Sequence, residues 1–248
     1  MSAWNPALYL RFSAERTQPC RDLAGRVELA APASIADLGC GPGNSTGVLA
    51  ARWPHAAITG VDSSPDMIAA ARAARPEACW EKSDITAWAA GTEQFDLVFS
   101  NAALQWVDDH AALVPRLLAR VAPEGALAFQ IPANPAALQH RILREMAVRP
   151  VREWHADPPS FYYDALAPAS ARIEMWTTTY YHSLRGVEAI VEWYKATGMR
   201  PYLEALPDEA ERARFAAEFC ERLRPHFPPQ PDGTVLFPFE RLFLVAYR

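Results

Sequence analysis

Asp37-Leu38-Gly39-Cys40-Gly41-Pro42-Gly43 is the stretch on which the fold turns. A short apolar run, Ser34-Ile-Ala-Asp-Leu38, leads into it, and Asn44-Ser-Thr46 follows with residues suited to cap a helix through about Arg52. A strand that ends in alternating glycines and passes straight into a helix is the opening unit of an α/β sheet. Glycine at 39, 41 and 43 leaves no side chain between backbone and ligand and permits positive φ. The helix behind it directs unpaired first-turn N–H groups toward that ligand. The expectation is that the amides of residues 39–43 lie open beside a bound molecule.

The spacing separates cofactor classes. A dinucleotide fingerprint reads GxGxxG, whereas here the pattern is GxGxG, with Asn44 where a third dinucleotide glycine would stand. Asp37, just before the loop, sits badly beside a pyrophosphate. It suits a cofactor carrying positive charge, such as the sulfonium and α-ammonium of S-adenosylmethionine. No Walker lysine follows, which disfavours nucleoside triphosphates.

Working outward, the same unit repeats. Ala57–Asp62 reads as a second strand, followed by a helix that Ser63-Ser-Pro-Asp66 opens and that runs to Ala74; proline suits a first helical turn. Ala78–Lys82 and Phe95–Ser100 read as strands three and four, a helix spans about His110 to Val121, and Ala126–Ile131 is the fifth strand. Strands alternating with helices predict a doubly wound, mostly parallel sheet covered on both faces.

In such a sheet ligands bind outside the carboxyl ends of the strands, near the point where strand order reverses. Asp62 ends strand two, where an acidic side chain accepts ribose hydroxyls. Ser83-Asp84 ends strand three, where a carboxylate receives the adenine amino group. Asn101, with Ala102-Ala-Leu-Gln-Trp106, ends strand four beside the site of reaction. Ser63, Met67, Ile85 and Ala102 border these anchors and complete the expected cofactor contacts. Plainer readings stand beside each: Asp62 and Asp84 as helix caps or turn residues, Asn101 as a turn residue, Trp106 as core. Four such features in order, each at the end of a successive strand, favour the cofactor reading.

The rest of the chain is less regular. The first 31 residues read as helical, with Leu8, Phe12, Leu23 and Val27 among the apolar positions, and form a cap. Ala136–Ala147 reads as a helix, a Pro- and Trp-containing loop follows, and Tyr162–Leu166 is a short helix. Arg172–Tyr181 is a β-branched and aromatic strand. Gly186–Arg224 is helical, and Val235–Tyr247 is one strand or a pair around Pro238. The expected organisation is a cofactor-binding core over 32–182, a helical insertion over 183–232 and the final strand region over 233–248.

Bulk properties narrow the partners. Of 248 residues half are hydrophobic, enough for a substantial core, and the formal charge of −5 comes with dispersed cations, which leaves no basic face for nucleic acid. Lys82 and Lys195 are the only lysines; compositional bias explains the arginine excess, although a few arginines suffice to grip carboxylates. Cys20, Cys40, Cys79 and Cys220 lie far apart, so buried free thiols are expected and a zinc site is not. With no run approaching a membrane span, a cytoplasmic protein is expected.

Three segments, Asp37–Gly43, Val61–Pro65 and Ser100–Trp106, resemble the successive motifs of class I S-adenosylmethionine-dependent methyltransferases. More narrowly, the chain resembles the trans-aconitate methyltransferase family. The likeness includes Trp4-Asn-Pro-Ala-Leu-Tyr-Leu-Arg-Phe12, Trp176-Thr-Thr-Thr-Tyr-Tyr-His182, Ala196-Thr-Gly-Met-Arg-Pro201 and Phe239-Glu-Arg-Leu-Phe-Leu-Val245. It implies a seven-stranded sheet with an antiparallel last strand, and monomethyl esterification of trans-aconitate or a related small tricarboxylate, with S-adenosylhomocysteine as the other product. The same fold accommodates other small acceptors, or cofactor binding without turnover.

A carboxylate acceptor is ionised at pH 7, so no general base is needed. Arginine forks would hold the carboxylates that do not react. Arg200 is the foremost expected binder, with Gln105, Trp106, Gln130, Tyr180, Tyr181, His182, Arg241 and Tyr9 as further substrate residues, and Arg16 beside the cofactor. Ordinary alternation for the tyrosine pair, a structural role for His182 and a surface ion pair for Arg16 are the competing assignments. The helical insertion and the N-terminal helix form the expected lid.

Overall fold

A computed structural model describes the backbone of residues 13–248, with side chains from residue 17. Helix α1 (Ser13–Arg26) precedes β1 (Ser34–Leu38), and α2 (Asn44–Arg52), β2 (Ala57–Asp62), α3 (Pro65–Ala74) and β3 (Cys79–Lys82) follow. Then come α4 (Ile85–Ala89), β4 (Phe95–Asn101), a 3₁₀ turn (Leu104–Trp106), α5 (His110–Ala119) and β5 (Val121–Pro132). The remainder is α6 (Leu138–Met146), α7 (Pro159–Leu166), β6 (Arg172–Leu184), α8 (Val187–Lys195), α9 (Arg200–Glu204), α10 (Glu209–Leu223) and β7 (Val235–Tyr247).

The seven strands form one sheet in the order β3-β2-β1-β4-β5-β7-β6. β1 to β5 are parallel, and β7 runs antiparallel to both its neighbours. The order reverses between β1 and β4, so the ends of these two strands flank the crevice where ligands bind. Leu38 pairs with Ser100 across it, and the Ser100 hydroxyl donates to the Leu38 carbonyl at 2.9 Å. Asn101 and Gly39 are thereby placed side by side.

Both sheet faces are covered. Leu113 and Leu117 of α5 and Tyr162 of α7 pack over Leu127 and Phe129 on one face. Leu23 of α1 and Leu49 of α2 pack over Ile35, Leu97 and Phe99 on the other. A third cluster joins Ile142 of α6, Ile190 of α8 and Phe219 of α10 to Phe237 of β7. The helices after β6 therefore close on α6 and on the free end of the β6–β7 ladder.

Several boundaries differ from the sequence expectation. The helix anticipated to reach Val121 stops at Ala119, because Val121 already pairs with Phe95 in the sheet. β5 thus starts earlier and passes an irregularity near Glu124, whose φ is 64°. β7 is one strand, the first of the two alternatives expected. Residues beyond its β5 partners pair only with β6, and a strand edge tolerates Pro238 without an N–H. Helix α4 follows the plainer reading of Asp84, which opens it as a cap. Cys79 is exposed rather than buried, since β3 is an edge strand. Among the described residues no helix is long and apolar enough to cross a membrane.

Candidate active site

The glycine turn closes over the end of β2. Gly39, Gly41 and Gly43 have φ values of 69°, 55° and 91°. A Cβ at Gly39 would lie 2.1 Å from the Ala103 Cβ, whereas one at Gly41 would have nothing within 4 Å. Gly39 is required by the close approach of the turn after β4; Gly41 keeps the crevice clear. The amides do not lie open as expected. Gly39 and Cys40 N–H both donate to the Val61 carbonyl, at 2.8 and 3.1 Å, and Gly43 N–H donates to the Cys40 carbonyl at 3.1 Å. Gly41 N–H donates to Asp62 Oδ2 at 3.0 Å, and Pro42 has no N–H. A turn tucked onto a strand end must satisfy its own donors, and does so internally. Its contribution is space and shape.

Asp37 lies beneath this turn, fully buried. Its Oδ2 accepts from the Ser45 and Thr46 hydroxyls at 2.7 and 2.6 Å, and its Oδ1 has no hydrogen-bond partner among the described residues. Burial pushes the carboxyl up to about 6, against the opposing effect of the two hydroxyls. It is not among the residues that line the crevice, contrary to its expected placement there.

Asp62 caps no helix. Ser64 does so, accepting from Met67 N–H at 3.4 Å, while Asp62 Oδ1 accepts from Ser64 N–H at 2.8 Å. Gly41 and Ser64 N–H each bond one carboxylate oxygen and Ser63 N–H also faces the carboxylate, which leaves acceptor capacity for a ribose hydroxyl. Asp84 does cap α4, through Oδ1 to Ala87 N–H at 2.9 Å, and also lines the crevice. Gly39, Gly41, Asp62, Ser63, Met67, Asp84, Ile85, Asn101 and Ala102 all come together along it. Gly43 turns instead toward the Trp80 ring, 3.0 Å from where its Cβ would lie, and Asn44 lines a small cleft behind the turn with Thr17 and Cys20. Tyr9 and the Arg16 side chain fall outside the described residues.

A second cavity, of about 630 Å³ including its mouth, adjoins the crevice; Asn101, Ala102 and Trp106 line both. Its walls are Gln105, His140, Trp154, Trp193, Tyr194, Phe239 and Arg241. Mostly apolar walls with a few convergent polar groups make a small-molecule pocket. Burial pushes His140 down to about 4, so it is neutral at pH 7. Arg241 is buried, with its guanidinium 4.7 Å from the centre of the Phe239 ring. Arg200 lines the crevice rather than this cavity, and its Nε lies 3.4 Å from Glu204.

The other expected substrate residues divide. Gln105 and Trp106 line the cavity. Gln130 is fully buried behind it, held between Arg241 and Asn101. Tyr180 donates its hydroxyl to Asp22 of α1, and Tyr181 is exposed. His182 is buried beside Trp193 and Phe239, with burial pushing it down to about 4. None of these last four lines the crevice or the cavity: Gln130 is buried within β5, Tyr180 and His182 are committed to Asp22 and to the Trp193 and Phe239 rings, and the intervening Tyr181 takes the opposite face of edge strand β6.

His140, Trp154, Trp193 and Tyr194 were missed. Trp154 belongs to the unpatterned loop before α7, which is tied to α6 by the Arg144–Glu153 pair at 2.9 Å and strapped over the 3₁₀ turn, where His155 N–H donates to the Gln105 carbonyl at 3.0 Å and Arg152 to the Trp106 carbonyl at 2.9 Å. A tryptophan in a polar loop was the available signal. The same loop brings His155 and Asp157 beside His110, a grouping invisible in sequence spacing. Both His110 nitrogens are hydrogen-bonded, to the Tyr162 hydroxyl and the Leu104 carbonyl at 2.8 Å each.

Residues 35–125 match the family described as a methyltransferase domain. The chain is 45% identical to trans-aconitate 2-methyltransferase of Variovorax paradoxus, covering all of this chain and 99% of the relative. Identity to the enzyme of the same name from an Azoarcus species is 44%, over the whole of both chains. The fold resembles the YcgJ protein of Bacillus subtilis (TM-score 0.63, 12% identity, 93% and 98% of the two chains). It also resembles a Haemonchus contortus phosphoethanolamine N-methyltransferase in complex with S-adenosyl-L-methionine (TM-score 0.58, 15% identity, 93% and 52%). Carrying the glycine turn, the acidic anchors of β2 and β3 and full-length likeness to these relatives, the chain belongs to the trans-aconitate 2-methyltransferase family of S-adenosylmethionine-dependent enzymes.

Proposed function

We propose that this chain methylates one carboxylate of trans-aconitate, or of a closely related small tricarboxylate, to form its monomethyl ester. The observation that carries the reading is the junction of the two cavities at Asn101, Ala102 and Trp106, with Arg241 lining the inner one and Arg200 lining the outer. Two cations on separate walls suit an acceptor with several carboxylates.

S-adenosylmethionine supplies an electrophilic methyl on a sulfonium. The protein's task is placement. Asp62 and Asp84 are set to hold the cofactor's ribose and base, and the cleared space at Gly41 lets its chain pass. Trp106 and Trp154 keep water from the junction, and the arginines neutralise carboxylates that do not react. Since opposite charges cancel as the reaction proceeds, strong clamping of the reacting carboxylate would favour the ground state; alignment is the productive use of binding energy. The helices from α8 to α10 and the N-terminal helix are the lid in this reading, and a cytoplasmic site of action accords with four unbridged cysteines.

Incubation with labelled S-adenosylmethionine and a panel of small di- and tricarboxylic acids, followed by mass analysis, tests the reading. Label in an alkali-labile methyl ester of a tricarboxylate is the expected result. Turnover of no carboxylic acid would overturn it. Arg200→Gln should lower activity on tricarboxylates while leaving cofactor affinity unchanged.

A further inference from the structure

Asn101, Gln130 and Arg241 form a hydrogen-bonded relay whose direction is fixed at one end. A guanidinium only donates, so the Gln130 atom 3.1 Å from Arg241 Nη1 must be its carbonyl Oε1. Gln130 Nε2 then points the other way and donates to Asn101 Oδ1 at 2.7 Å. With Oδ1 occupied from behind, Asn101 turns its Nδ2 hydrogens toward the junction of crevice and acceptor cavity that it lines. Gln130 is fully buried and has no room to swing. Its backbone carbonyl also accepts the Ala102 N–H at 3.0 Å, fixing the residue whose positive φ of 57° bends the chain away after Asn101.

Resting on the reading of the site as a carboxylate-esterifying one, we infer that Gln130 is a positioning residue that decides which carboxylate of the acceptor is methylated. Through one amide it sets two donors at a fixed separation. The Asn101 Nδ2 hydrogens receive one oxygen of the reacting carboxylate and leave its other oxygen toward the methyl donor. Arg241 receives a carboxylate that does not react. A neutral amide is well matched to the first role, since it orients without the ground-state clamping a cation would impose. The buried cation is matched to the second.

Gln130→Glu tests the inference because it reverses the relay. A carboxylate at 130 accepts from Arg241 and also demands a donor from Asn101, so the Asn101 amide turns over and presents its carbonyl oxygen to the acceptor. Gln130→Met removes both bonds at similar volume and serves as the second variant. Four quantities are measured on wild type and variants: S-adenosylhomocysteine affinity by calorimetry, trans-aconitate affinity in the presence of S-adenosylhomocysteine, kcat, and the ratio of monomethyl ester isomers by NMR. For both variants the first should stay within about twofold, while kcat falls roughly tenfold to a hundredfold and the isomer ratio shifts toward other carboxylates. Trans-aconitate affinity should fall more in Gln130→Glu, where an oxygen faces the acceptor carboxylate. An unchanged isomer ratio in both variants overturns the inference, as does a loss of S-adenosylhomocysteine affinity matching the loss of kcat, which would put Asn101 to work on the cofactor instead. Wild-type protein that esterifies no carboxylic acid refutes the underlying reading separately.

Discussion

Asp62 and Gly41 are joined by a hydrogen bond of 3.0 Å between the carboxylate Oδ2 and the backbone N–H, across 21 residues of sequence. The carboxylate at the end of β2 and the glycine turn at the end of β1 are therefore one unit, further tied by Ser64 N–H on the other carboxylate oxygen. Asp62→Asn sets an amide NH₂ against one of these two N–H groups and removes the charge. A charge-assisted hydrogen bond is worth about 1.5–3 kcal/mol. S-adenosylhomocysteine affinity measured by calorimetry should fall roughly tenfold to a hundredfold. Unchanged affinity would show that the carboxylate only braces the turn.

Gly39 and Gly41 should fail in different ways when replaced. Gly39→Ala would drive a methyl to 2.1 Å from the Ala103 Cβ at a φ of 69°. The turn after β4 must then shift, lowering the thermal midpoint and cofactor affinity together. Gly41→Ala meets nothing within 4 Å and carries only the left-handed backbone cost of about 1–2 kcal/mol. It should fold with a modest fall in midpoint, yet bind S-adenosylhomocysteine poorly, because its methyl stands in the crevice. Equal thermal midpoints for the two variants would contradict this account.

Acid should destabilise the protein through its buried histidines. Burial holds His140 and His182 down at about 4, whereas in the unfolded chain each titrates near 6.5. Between these values the unfolded chain binds protons that the native state refuses, so stability is present above about pH 6.5 and is lost as pH falls toward about 4. Asp37 acts in the opposite sense. Its carboxyl is held up at about 6, so the native state takes a proton first and its contribution grows as pH falls from about 6 to about 4. Burial also holds His110 down and Asp62 up, so three histidines stand against two carboxylates and leave a net loss in acid. Urea midpoints measured from pH 7 to 4 should therefore decline, less steeply for His182→Asn and more steeply for Asp37→Asn. A flat profile for the wild type would show that the histidines are not held neutral.

The crevice was legible in the sequence because its lining residues stand at successive strand ends: the glycine turn, Asp62 and Asn101 each follow an apolar run that marks a strand, and Asp84 follows the shorter, more polar β3. The acceptor cavity was not. His140 stands on α6, Trp154 on an aperiodic loop, Trp193 on α8 and Arg241 on β7, and only the folded sheet brings these together. Strand periodicity placed the Tyr180–His182 segment at the correct end of the sheet, yet said nothing of which ring turns inward, and Tyr181 turns out to be exposed. Hydrogen-bond commitments were equally hidden. The amides of the glycine turn serve Val61, Asp62 and Cys40, a fact set by how the turn lies on β2. Gln130 looked like a residue aimed at substrate from the end of β5; its zero exposure makes it a support for two others.

The loop carrying Trp154 gives a direct test of the acceptor cavity apart from the cofactor crevice. The Trp154 and His140 rings meet edge to face, with centroids 5.1 Å apart, and both line the inner cavity while neither lines the crevice. The loop itself is held by the Arg144–Glu153 pair and the Arg152 bond to the Trp106 carbonyl. Trp154→Ala removes the ring while keeping these ties, so the loop should remain in place over an enlarged, wetter cavity. Truncating a buried tryptophan costs about 3–5 kcal/mol in a packed core. Here part of that loss should appear in acceptor binding, with KM for the tricarboxylate rising at least about tenfold. S-adenosylhomocysteine affinity should stay within about twofold of wild type, since Asp62, Asp84 and the glycine turn are untouched. An equal loss of both affinities would mean that the loop closes over the crevice as a whole, and that the two cavities are not separable.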